Sequence, residues 1–488
     1  MRSRICYIVA ALICNAAIAQ NAIQRLDENI EISTEAQITA SKGQSPLWLN
    51  ANRHGMGSVV GDNGYLRARL VKKAENDSTH SWRIGYGADI ALQYNSENSW
   101  FVQQLYADFD YRRIRLSIGC KERPMAFKNQ ELSSGSQTFG INSHPIPEVR
   151  FEIPEYVSIT GKSNWAGIKG HFGYGIKTDG KWAKDFTDGE KYWRRTLYHT
   201  KAGYLRVGNS KKFPLTFEGG LEMAAFFGGT TYADGVRIKH AQGPKDFLNI
   251  IWGGGSDVDE TVYKNANGNI VGSWLFSLYY AGKNWGAKVY YDHFFEDHSM
   301  MFFQYGWQDG LIGAEIKLPQ NPLIGTLVYE FMNTTYQAGP VYHDHTPEIP
   351  DQVSGIDNYY NHSYFSGWHN WGQAIGNPLY TSPVYNRNGN LTFTSNRFKA
   401  HHFGVSGTPA PWLHYRLLYS YMAHLGTYAE PYLNTKYDNS FLVEVVLKSP
   451  WTKYSSLKNW QATLALGFDR GSQLGDNTGF QLSLQKTF

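Results

Sequence analysis

The sequence predicts an all-β chain: a transmembrane antiparallel β-barrel of about eighteen strands, with long extracellular loops and short periplasmic turns. Three observations carry this expectation. Apolar residues recur with period two, long and short connections alternate, and the chain ends on an aromatic residue within an alternating row.

Composition narrows the field first. The chain has 488 residues, 15% of them aromatic, with only 18% charged. An average soluble domain carries roughly 25% charged residues. A formal charge of +4 gives no reason to expect nucleic acid as a partner. No apolar run approaches the ~20 residues of a membrane helix. The 42% hydrophobic content argues against disorder.

The N-terminus reads as a secretory signal peptide over residues 1–19, leaving 20–488 as one barrel unit. Arg2 and Arg4 form a basic start, Ile5 to Ile13 an apolar stretch, and Ala17-Ile18-Ala19 a small-residue cleavage site. Cys6 and Cys14 leave with it. Cys120 then stands alone, so neither an internal disulfide nor a thiolate-pair metal site is expected.

Strands follow from alternation. Ile84, Tyr86, Ala88, Ile90, Leu92 and Tyr94 alternate with small or polar residues. So do Trp285, Ala287, Val289 and Tyr291, and later Trp460, Ala462, Leu464, Leu466 and Phe468. The same reading places strands at 31–42, 64–73, 83–94, 101–110, 112–119 and 149–160. It continues through 165–176, 198–207, 213–224, 273–281, 284–294 and 311–318. The last six are 324–333, 400–407, 413–422, 440–448, 460–468 and 479–488. Most have the ~9–11 residues of a tilted membrane strand.

Alternation suits a soluble sandwich as well as a barrel, so the connections must decide. Odd-numbered connections total about 234 residues and even-numbered ones about 42. The short ones carry turn chemistry: Gly282-Lys283, Pro319-Gln320-Asn321-Pro322 and Pro409-Ala410-Pro411. In the last strand Phe480, Leu482, Leu484 and the terminal Phe488 share one face, as in the assembly signal read by the barrel assembly machinery. Lys486 departs from that row. Inward Arg67, Arg69, Lys288, Arg416, Glu444 and Lys448 suit a polar lumen. The Trp and Tyr content fits girdles against outer-membrane lipid.

The longest connection, 334–399, is rich in aromatics, Asn, Asp and His. Flat rings can cover sugar C–H faces while amides and carboxylates bind hydroxyls. The same residues would equally pack a loop into the barrel mouth. His343-Asp344-His345 could pair two imidazoles toward a metal, but no third ligand is visible. Gly253-Gly254-Gly255 lacks the Lys and Ser/Thr of a phosphate loop, and Asp257-Val258-Asp259-Glu260 lacks EF-hand spacing. No Gly-x-Ser-x-Gly or His-Glu-x-x-His pattern occurs, so no enzyme and no cofactor are expected.

Leu132-Ser133-Ser134-Gly135, Pro145 to Phe151 and Ile153-Pro154-Glu155-Tyr156-Val157 form the most distinctive stretch. Pro46 to Asn52, Asp357-Asn358-Tyr359 and Gly367-Trp368 accompany it. Together they resemble the Wzi-type capsule assembly family in its Bacteroidetes form, along essentially the whole mature chain. That resemblance implies an eighteen-stranded barrel of the cell outer membrane, its lumen closed by loops or a plug. It also implies a lectin-like, non-enzymatic role in attaching capsular polysaccharide or exopolysaccharide. The expected contacts are Trp368, Trp371, Tyr359 and Tyr360 as stacking rings and Asp357 and Asn358 as hydroxyl binders. The alternatives are a substrate-specific oligosaccharide porin or a surface hydrolase.

Overall fold

The computed structural model describes residues 29–74, 81–252, 268–296, 301, 308–343, 352–386, 388–449 and 458–488. The expected signal peptide, Gly253 to Glu260, and Asp344-His345 lie outside the described residues.

Eighteen strands form one closed antiparallel sheet in sequence order. They are β1 (Ile30–Lys42), β2 (Asn63–Lys72), β3 (Trp82–Tyr94), β4 (Trp100–Tyr111), β5 (Ile114–Cys120) and β6 (Glu148–Ser158). Next come β7 (Ala166–Ile176), β8 (Leu197–Val207), β9 (Leu215–Phe227), β10 (Asn269–Ala281), β11 (Gly286–Glu296) and β12 (Gly310–Lys317). The last are β13 (Thr326–Asn333), β14 (Phe398–Ala410), β15 (Leu413–Gly426), β16 (Pro431–Lys448), β17 (Trp460–Gly471) and β18 (Asn477–Thr487). β1 closes the ring: Ala36 stands opposite Leu66 of β2 on one side and Leu484 of β18 on the other. Closure removes every sheet edge, which lipid would otherwise leave without hydrogen-bond partners.

The apolar rows point outward. Ile84, Leu92 and Val289 are 56%, 55% and 54% exposed. Their strand neighbours Gly85, Ala91 and Tyr290 are buried. A soluble sandwich would bury the apolar rows, so this distribution decides for the membrane barrel. Among the described residues no helix is long and apolar enough to cross a membrane. The protein is therefore an outer-membrane β-barrel.

Long connections gather at one end. Two of the expected longer ones are instead tight, 427–430 and 472–476, and 95–99 is short as expected. β16 starts at Pro431 rather than near 440, because its first half pairs with β15 and carries polar Asn434, Lys436, Asp438 and Asn439. Such a stretch has no lipid-facing alternation to betray it. Two short helices sit among the long connections, α1 (Leu47–Asn50) and α2 (Gly180–Phe186). A third, α3 (Pro244–Trp252), lies against the outer wall. Its Ile250 packs in a cluster with the outward Met223, Ala225 and Phe227 of β9. Cys120 is a free, buried thiol.

Candidate functional site: a plugged lumen and its long-loop rim

Three long-end segments fold back into the lumen: 43–62, 121–147 and the described residues of 357–397. One buried cluster joins Trp48, Leu132, Tyr360, Trp368 and Phe393 to the inward Tyr198, Phe226 and Phe294 of the wall. Close approach needs small inward residues on the strands. A Cβ on Gly404 of β14 would meet the Leu132 carbonyl at 2.6 Å. A Cβ on Gly467 of β17 would meet Leu49 at 2.8 Å.

Buried backbone must find partners, and the plug supplies them. The Trp368 indole N–H donates to the Thr138 carbonyl at 3.1 Å, and the Tyr360 hydroxyl donates to the Gln137 carbonyl. Asn370 donates to the His144 carbonyl, and Asn142 returns a bond to the Ala374 carbonyl. Wall carboxylates receive plug donors. Glu330 of β13 accepts from the Ser133 hydroxyl at 2.6 Å and the Ser134 N–H at 2.7 Å. Asp469 of β17 accepts from the Leu47 N–H at 3.1 Å. Asp292 of β11 pairs with the buried ammonium of Lys128 and accepts from the Gln137 N–H.

Lumen cations are pinned in the same way. Glu444 holds Arg416 at 2.7 Å and Arg53 of the plug at 2.8 Å. Arg67 bridges Asp89 and Glu122, and Arg123 bridges Glu148 and Glu152. Lys288 meets Glu315 at 2.5 Å. Arg67, Lys288, Arg416 and Glu444 therefore face inward as expected. Arg69 lines a charged cavity of about 660 Å³ at the short-turn end, and Lys448 is exposed.

The six expected contact residues divide. Tyr359, Tyr360 and Trp368 are 0% exposed. Tyr360 stacks on Tyr380 with centroids 3.9 Å apart, Tyr359 meets Phe294 edge-on, and Trp368 packs on Phe226. These three rings build the plug core and offer no surface in this conformation. A ring's large apolar area is satisfied as well by another ring as by a sugar. Asn358 is exposed, Asp357 and Trp371 half-buried. Asn358 Oδ1 accepts from Asn396 at 2.5 Å. Trp371 adopts φ 52° and donates its N–H to Asp179 at 3.0 Å.

Asp179 leads to a feature the sequence reading passed over. The 177–196 connection folds into α2 and a short strand, Lys191–Arg194, around a cleft of about 480 Å³. Lys177 forms its base, 3.2 Å from Asp179 and 2.6 Å from the His369 carbonyl. Burial pulls its ammonium down to about 8. Lys181, Lys184, Arg194 and Arg195 stand exposed around it. The available signal was a run of cations interleaved with aromatics, Lys181-Trp182-Ala183-Lys184 and Lys191 to Arg195.

Among the described residues no group of three or more His, Cys, Asp or Glu is arranged to hold a metal. The His343 side chain, like Asp344 and His345, lies outside the described residues. Burial lowers the His144 imidazole to about 3 and the His369 imidazole well below 6.5, which holds both neutral.

No family model matches the chain, and neither does any curated protein. Solved structures do. The chain is similar to Wzi of Escherichia coli, an outer membrane protein involved in Group 1 capsule assembly and described as a carbohydrate binding β-barrel. The TM-score is 0.58 at 10% identity, over 96% of this chain and 87% of that one. It also aligns with Pseudomonas aeruginosa OccK9, with TM-score 0.46, 10% identity, and 94% and 98% coverage. For P. aeruginosa OprD the TM-score is 0.45 at 8% identity, with 94% coverage of both chains. At these identities the likeness is one of fold, the closed outer-membrane β-barrel.

Proposed function

We propose that this protein binds surface polysaccharide non-covalently at its long-loop end and helps hold capsule or exopolysaccharide on the cell. In this reading the long connections face outward and the barrel is an anchor rather than a conduit. One observation carries it: the lumen is filled by the chain's own segments, fastened by buried ion pairs and hydrogen bonds. A porin keeps water-facing charges along an open path. Here Arg67, Arg123 and Arg416 are engaged with carboxylates instead. The likeness to a carbohydrate-binding barrel agrees with this reading. Asn358, Asp357 and the half-buried Trp371 remain contact candidates, and no catalytic step is assigned.

Two measurements on the purified barrel test it. In planar bilayers the protein should carry no steady current, and surface polysaccharide from the producing cells should be retained on immobilised protein. A steady conductance with selective block by an oligosaccharide would replace the anchor by a porin. Shortened polymer after incubation would replace it by a hydrolase.

A further inference from the structure

We infer that the cleft between α2 and the Lys191–Arg194 strand binds a polysaccharide bearing carboxylates, with Lys181, Lys184, Arg194 and Arg195 as the cationic contacts. The inference rests on the polysaccharide-binding reading and names the polymer class and its place.

The volume of about 480 Å³ falls within the range of small-ligand sites, ~300–1,000 Å³. The floor is rigid. Trp193 is buried, and its indole N–H donates to Asp179 at 2.7 Å. A Cβ on Gly180 would collide with the Trp193 carbonyl, so only glycine lets α2 close onto that strand. Lys177 lies 4.5 Å from the Trp193 ring centroid and donates to the Ser366 hydroxyl and the His369 carbonyl. Asp179 also receives the Trp371 N–H. The cleft is thereby fixed to the plug.

The rim is held but its charges are free. Tyr192 stacks on Tyr232 at 4.5 Å with planes 6° apart. Lys184 lies 5.6 Å from the Tyr192 centroid, and Arg194 lies 5.7 Å from that of Tyr232. Arg195 holds a left-handed φ of 55°, a conformation that non-glycine residues keep only where the surroundings impose it. Asp185 lines the same cleft. Among the described residues none of the four rim cations forms an ion pair with it or with any other carboxylate. Four like charges around one concavity repel one another and raise its positive potential. A polymer with a carboxylate on each repeat relieves that repulsion, and guanidinium groups bind carboxylates through paired hydrogen bonds. A neutral polymer does neither. Small gains per repeat add up along a chain.

The test uses the full-length barrel in detergent with immobilised polygalacturonate and, separately, dextran. Wild type should hold polygalacturonate, more weakly as salt rises, and should hold dextran far less. The quadruple variant Lys181→Glu, Lys184→Glu, Arg194→Glu, Arg195→Glu should lose binding by about tenfold or more. The milder pair Lys181→Gln, Lys184→Gln should show a smaller loss in the same direction. Heat-modified migration on gels verifies that each variant is folded. Equal binding of polygalacturonate by folded wild type and folded quadruple variant would overturn the cleft while leaving polysaccharide binding in place. Dextran held as well as polygalacturonate would overturn the carboxylate class. Displacement by lipopolysaccharide or inorganic phosphate but not by free galacturonate would assign the cleft to phosphate instead. Failure of wild type to hold any polymer, including that of the producing cells, would remove the functional reading itself.

Discussion

The cations of the lumen and the cations of the long-loop rim belong to the same residue types and live under opposite rules. Arg67, Arg123, Arg416 and Lys128 each sit beside a carboxylate delivered by a neighbouring strand or by the plug. Lys181, Lys184, Arg194 and Arg195 carry exposed charge around a shared cleft. Inside the barrel an unpaired charge would bear its desolvation penalty without return, so each carboxylate there is part of the scaffold. At the rim water carries the charge, so no partner is required and a ligand can supply one. Paired charge thus marks what holds the plug, and unpaired charge marks what is open to a partner.

The contrast breaks most sharply when a lumen carboxylate is removed. Asp292→Ala leaves Lys128 buried without its counter-ion and should cost about 3–5 kcal/mol of plug stability. Limited proteolysis or amide exchange of the 121–147 segment reads that loss. Unchanged protection would mean that the pair is not a fastener. Next come the rings. Trp368→Ala should cost about 3–5 kcal/mol by opening a cavity in the plug core. The half-buried Trp371→Ala should cost less. Equal losses in chemical denaturation would contradict the division between them.

Acid should also loosen the plug. Burial holds the folded His144 imidazole at about 3, against an ordinary 6.5, and pushes His369 well down. Between these values the unfolded segment binds more protons than the folded one. The stability is therefore complete above about pH 6.5 and declines as pH falls toward 3. Amide exchange of the plug at pH 7 and pH 4, corrected for intrinsic rates, measures it, and His144→Gln should flatten the difference. The smallest effect belongs to the rim. Lys181→Gln should leave stability within about 0.5 kcal/mol, since no buried partner is orphaned. A larger loss would show that the rim cations are structural after all.

Most strands were legible because their information is local. Consecutive side chains point to opposite faces, so a lipid face on one side and a small or polar face on the other write themselves as alternation. The 83–94 expectation matches Trp82–Tyr94, and 165–176 matches Ala166–Ile176. The reading failed where lipid no longer imposes a face, as in the first half of β16. The candidate site was legible only as composition. Asp357, Asn358, Tyr359, Tyr360, Trp368 and Trp371 stand close in sequence, yet three are sealed in the plug and three retain surface.

By itself the sequence determined the strand rhythm, the lipid-facing rows and the inward Arg and Glu, since each follows from neighbours a few residues apart under one solvent boundary. Only the tertiary structure decided that three distant segments return to fill the lumen. It also decided which rings they bury there. It brought Lys128 to Asp292, Arg53 to Glu444 and the Lys177–Asp179 pair beneath the rim cleft. The first two of those contacts join residues more than a hundred positions apart, and their energy exists only once the barrel has closed and excluded water from its interior.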